Sequence, residues 1–181
     1  MARVAVQLSY RVVLGIFTGA MMIMFATYSA LAADKFFPDL EGNWQGRGLV
    51  RDLPSSPQEA IRCRLNMGLA SGGNRLTVLG NCSVAGLVLP INGSITAQGR
   101  GYTANLFANI VQVNNSNFSG SVRGKSLLLQ YDGIDIYTKK RVKATLAITK
   151  RGKKGFDISI RRLDPNSPAS FKVGTIRFQA R

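Results

Sequence analysis

Two cysteines, a strongly basic final quarter and the complete absence of histidine bound the chemistry open to this chain. Without histidine, Ser-His and Cys-His nucleophile pairs are excluded. Asp132 and Asp135 could in principle share acid–base work, but they flank Gly133 and read as solvated turn acids. Two thiols alone make a poor zinc site, and no C-x-x-C, phosphate-cradling or dinucleotide-binding glycine motif is present. The residues therefore predict a non-enzymatic protein with no cofactor and no metal. In an exported chain, Cys63 and Cys82 are expected to pair as a structural disulfide.

Charge is concentrated late. Residues 139–181 hold 13 basic and two acidic side chains, against nine and seven in residues 33–138. Lys139, Lys140, Arg141 and Lys143 lead into a hairpin, Lys150, Arg151, Lys153 and Lys154 surround its tip, and Arg161 and Arg162 lie on its return strand. These ten are the candidate anion-binding residues. With Ile148 placed near Phe156, Lys143 would face Arg161, a like-charge opposition that a bound anion would relieve. The partners implied are an anionic glycolipid, an acidic polysaccharide or an acidic protein surface. A merely solvated basic surface is the alternative. Nucleic acid is disfavoured by export, and by the lack of aromatics interleaved with the charges.

The elements that must position these residues are strands. In Ile61–Met67 the apolar side chains take odd positions, and in Leu76–Val84 even ones, around Ser71-Gly72-Gly73-Asn74. A two-residue turn there places Leu69 against Leu76, Met67 against Val78, and Cys63 against Cys82. A slip of one residue would turn every apolar side chain to the wrong face. Counted from that turn, the cysteines occupy a hydrogen-bonded pair with Cα atoms about 5.5 Å apart.

The same alternation recurs from Ile91 to Ala97, Tyr102 to Ile110, Phe118 to Val122 and Leu127 to Tyr131. Val142 to Ile148 and Phe156 to Ile160 continue it, and Asn114–Asn117 reads as a polar loop. In the last segment Phe171 and Val173 use odd positions but Ile176 and Phe178 use even ones, so a β-bulge is expected at Gly174. Trp44 shares a face with Gly46 and Gly48, and glycines there admit close approach of a ring or strand. Trp44 is thus a core plug, with the lining of a ligand cavity as the other reading. The Asn-x-Ser patterns at Asn81, Asn92, Asn114 and Asn117 are read as turn chemistry, with glycosylation the alternative in a eukaryotic secretory route. Together these segments predict an all-β antiparallel meander barrel of eight to ten strands, with a sandwich as the alternative.

The first 32 residues set the compartment. Arg3 and Arg11 precede an uncharged run that ends in Ala30-Leu31-Ala32, the order of a secretory signal peptide. Residues 1–32 are therefore a predicted signal and 33–181 a single barrel domain, periplasmic or secreted, with no membrane span in the mature chain. The uncharged stretch Val12–Ala33 is 22 residues long, and about 20 suffice to cross a bilayer, so a retained anchor is the alternative.

Gly42-Asn43-Trp44 resembles the G-x-W opening of the calycins. Leu40-Glu41-Gly42-Asn43-Trp44, Cys63-Arg64-Leu65 and Leu79-Gly80-Asn81-Cys82 resemble the small periplasmic metalloprotease-inhibitor barrels of Gram-negative bacteria. That resemblance implies an eight-stranded barrel with linked cysteines. Inhibitors of this kind insert an extended N-terminal segment into the protease cleft, and Ala33–Pro38 carries no matching motif. The leading expectation is a binding protein whose basic hairpin, residues 139–162, contacts an anionic envelope component or partner protein. Protease inhibition through the leader, and carriage of a small ligand in the barrel, are the alternatives.

Overall fold

Period-two burial organises the chain throughout the residues described by the computed structural model, which are 35–108, 117–134, 141–164 and 169–181. The predicted signal, Lys139, Lys140, Asp135, Asn114 and residues 165–168 lie outside that set. The strands are β1 (Gly42–Val50), β2 (Glu59–Leu69), β3 (Arg75–Val84), β4 (Leu87–Gln98) and β5 (Gly101–Ala108). They continue as β6 (Asn117–Arg123), β7 (Ser126–Ile134), β8 (Arg141–Lys150), β9 (Gly155–Leu163) and β10 (Ser170–Ala180). Every strand pairs antiparallel with its chain neighbours, and β10 returns to β1, so the meander closes into a ten-stranded barrel. Closure removes the free sheet edges that an open sheet or sandwich would have to protect.

The β2–β3 register is the expected one, with Leu69 against Leu76 and Cys63 against Cys82. Cys63 and Cys82 are bonded. The turn, however, is wider than two residues: the Ala70 amide donates to the Arg75 carbonyl at 2.9 Å. Hydrogen-bonded pairs therefore fall on the other parity, and the cysteines occupy a non-hydrogen-bonded pair. Their Cα atoms are 4.0 Å apart, nearer the about 4.5 Å of such pairs than 5.5 Å. The β10 register shifts between Lys172 and Gly174, which is the expected bulge. It brings both Val173 and Gly174 inward, an outcome strict alternation forbids.

One end of the barrel is filled by the leader. Phe36, Phe37 and Leu40 are buried, the last in a short 3-10 helix, Pro38–Leu40. Trp44 lies beneath them, 3 % exposed, and its Nε1 donates to the Leu40 carbonyl at 2.8 Å. Its ring meets Phe156 edge-on at 4.9 Å, and Phe156 stacks on Phe178 at 4.7 Å. Gly46 makes this stack possible, because a Cβ there would collide with the Phe178 ring. Trp44 is therefore a plug on the leader side.

Candidate functional site

Strand polarity divides the predicted basic residues between the two ends of the barrel. The tip of the β8–β9 hairpin, with Lys150, Arg151, Lys153 and Lys154, lies at the leader end. Arg141, Lys143, Arg161 and Arg162 lie toward the far end, about 15–30 Å away along the strands. The hairpin does not gather them into one patch.

Most of these cations already have partners. Lys150 continues the inward alternation of β8, donates to Asp39 at 2.8 Å and sits 4.6 Å over the Phe36 ring. It therefore clasps the leader to the barrel. Arg151 lies 2.9 Å from Asp157. Arg141 holds Asp132 through two hydrogen bonds of 2.7 Å, and Lys143 approaches the same carboxylate at 3.5 Å. Arg161 bonds Ser170 at 3.0 Å.

The expected opposition of Lys143 and Arg161 does not occur. Ile148 pairs with Ile158, so Arg161 faces Thr145, while Lys143 faces Asp132 on β7. The β8–β9 register thus differs by two residues from the pairing of Ile148 with Phe156. Asp132 is accordingly a strand residue and not a turn acid, and Asn81, Asn92 and Asn117 also sit on strands.

The Arg141 hydrogen bonds, aided by the charges of Arg141 and Lys143, hold the Asp132 carboxyl below its ordinary range against a smaller opposing effect of desolvation. With the folded value depressed, this pair supports the fold above the ordinary carboxylate range and loses that support as pH falls through the lowered value. In an NMR titration, the Asp132 midpoint should rise in Arg141→Gln. An unchanged midpoint would contradict the assignment.

A cavity of about 150 Å³ occupies the far end. Val50, Ile61, Val84, Leu89, Ile160 and Val173 supply its apolar wall. Its charged lining is Arg51, Asp52, Glu59 and Arg162. Trp44 does not line it, because the leader fills the end where Trp44 lies. Arg162 continues the inward alternation Phe156, Ile158, Ile160, so a cation closes an otherwise apolar stripe. It lies 3.4 Å from the carboxylate of Asp52, a side chain 81 % exposed, and 5.8 Å over the Phe171 ring. Arg51 donates to the Pro54 carbonyl at 3.1 Å, but its buried Nε has no acceptor among the described residues. A buried donor left so is costly, and an acceptor supplied by a ligand would satisfy it.

The cavity was the part the residue pattern concealed. Charge groups Arg162 with the basic hairpin, whereas the alternation of β9 turns it inward. Arg51 precedes a Pro-Ser connection and gives no signal of its own.

No family model matches the sequence, and no curated protein matches it. Among solved structures, the crystal structure of Rv2717c from M. tuberculosis superposes with a TM-score of 0.60 at 12% identity, covering 82% of this chain and 99% of that chain. The redesigned β-barrel mFAP1, bound to DFHBI, gives a TM-score of 0.46 at 14% identity, covering 82% and 100%. The shared feature is the small β-barrel. At such identity the likeness shows the fold alone: the barrel is present, but with ten strands where the resemblance to metalloprotease-inhibitor barrels implied eight. The segment matching their inserted leader has Phe36 and Phe37 buried in this barrel's own end.

Proposed function

We propose that this protein is an exported, non-enzymatic barrel that holds a small amphiphilic carboxylate in its far-end cavity. The observation that carries the reading is an apolar pocket lined by Arg51 and Arg162 as well as Asp52 and Glu59, in which the buried Nε of Arg51 has no acceptor among the described residues. A cavity of about this volume accepts a ligand on the scale of benzene, or a chain of about six carbons. The apolar body would lie against Ile61, Ile160 and Val173, and the carboxylate would take the place of Asp52 on Arg162 and satisfy Arg51. Asp52 can yield, since an exposed ion pair of this kind contributes little. Export is supported by the Cys63–Cys82 disulfide, which suits an oxidising compartment. The basic hairpin carries the reading less well, because its cations are split between ends and largely paired.

Hexanoate and 1-hexanol separate the two parts of the site. Calorimetric titration should show hexanoate binding with Arg162→Gln about tenfold weaker, while 1-hexanol binds both forms equally. Equal losses for the acid and the alcohol would contradict the role of Arg162. Failure of the folded protein to bind either would contradict the cavity reading itself.

A further inference from the structure

The outer wall formed by β1 to β4 has a composition unlike the rest of the surface. Its outward positions carry Arg47, Arg62, Arg64 and Arg75, with asparagine, glutamine, serine and threonine, and not one carboxylate. Cross-strand pairing sets Arg47 directly beside Arg62 on one side and Arg177 on the other. Like charges so placed repel. Arg177 has the neighbouring Asp157 at 3.5 Å. Arg47, Arg62 and Arg64 are exposed, and their side chains have no ion-pair or hydrogen-bond partner among the described residues. They surround a recess of about 410 Å³ whose lining also includes Asn81, Ser83 and Val88.

The same wall holds Leu49, Leu79 and Val88, three of the four exposed large apolar side chains of the described residues, while the fourth, Leu87, continues the inward row of β4 at the far-end rim. Leu49 and Leu79 are each 49 % exposed, Leu87 64 % and Val88 67 %. Leu87 and Val88 follow the β3–β4 turn, Ala85-Gly86, in which both residues have positive φ, 50° and 81°. Such a turn favours Asn-Gly, and a left-handed alanine is strained. The tip is thus apolar at a position where a polar residue would fold more easily. Val88 lies directly across from Ser83, and Ser83 from Arg62, so the apolar tip and the arginines share one row of the wall.

We propose that this wall docks on an anionic phospholipid bilayer, with the Ala85–Val88 tip among the headgroups and Arg47, Arg62 and Arg64 on lipid phosphates. Unpaired arginine charge supplies attraction to the anionic surface, and guanidinium forks match phosphate oxygens. The exposed aliphatic tip supplies the apolar contact that charge alone lacks. A soluble acidic partner would use the arginines but leaves the strained apolar tip without purpose. The surface lies outside the barrel wall and does not depend on what the far-end cavity holds.

Vesicle flotation of the protein as isolated from cells tests this directly. The quantity read is the ratio of its partitioning onto phosphatidylcholine vesicles with about a third phosphatidylglycerol to that onto phosphatidylcholine alone. Every variant shares the same N-terminus, so that segment cancels in the comparison. The ratio should be well above one, and should fall roughly fivefold for each arginine removed in Arg62→Gln and Arg64→Gln. Val88→Asn should weaken partitioning onto the anionic vesicles, and Lys153→Gln with Lys154→Gln should leave the ratio unchanged. Circular dichroism confirms that each surface variant is folded. A ratio of one for the unsubstituted protein overturns the proposal. So does a ratio that survives the arginine changes, or one lost in the Lys153 and Lys154 variant. Undiminished partitioning by Val88→Asn, or capture of an acidic protein by this wall in place of vesicles, would overturn it equally.

Discussion

Phe156→Ala is expected to lower the unfolding free energy by about 3–5 kcal/mol, the range for deleting a fully buried aromatic side chain. Phe156 is 0 % exposed and lies between the Trp44 ring and the Phe178 ring. Its removal leaves Trp44 and Phe178 facing a void that β-strands locked in a closed barrel cannot collapse to fill. The leader should loosen with it, because Leu40 is tied to the barrel through the Trp44 indole. Urea unfolding followed by Trp44 fluorescence measures both consequences, as a shifted midpoint and as a red-shifted native emission. A loss below about 1 kcal/mol would mean that the leader end is not the packed core described.

The second large effect is removal of the crosslink. Cys63 and Cys82 are separated by 19 positions, and closing a loop of about that size restricts the unfolded chain by roughly 3 kcal/mol. Cys63→Ser should therefore cost about 2–4 kcal/mol, with the denaturant slope altered because the unfolded chain becomes less compact. Free thiols in the protein isolated from its native compartment would contradict the pairing. The β2–β3 register itself should persist in the variant, because Leu65, Met67, Leu76 and Val78 still specify which face is buried.

Those same residues make the barrel legible in the sequence. Period-two burial, the Gly72-Gly73 turn and the thiol positions all demanded one pairing of β2 with β3. The phase change across Gly174 likewise announced the bulge. What alternation does not report is the width of a turn. The β2–β3 turn is wider than two residues, and the β8–β9 register lies two residues from the pairing that would oppose Lys143 to Arg161.

Charge misled for a related reason. Counting basic residues along the chain grouped Lys150 and Arg162, although the strand pattern turns both inward at opposite ends of the barrel. The β1–β2 arginines give no such signal, because they are few in any one segment. They become neighbours only when Arg47 pairs with Arg62 across strands 15 positions apart in sequence.

The central claim is that the far end of the barrel receives an amphiphilic carboxylate while the leader end stays closed. Methyl NMR during a hexanoate titration reads this residue by residue. The account predicts progressive, saturable shifts of Ile61, Ile160 and Val173, which wall the cavity, and unchanged signals from Leu40 and Leu76 beneath the leader. Shifts concentrated at Leu40 and Leu76, or no saturable shift at Ile61, Ile160 and Val173, would contradict it.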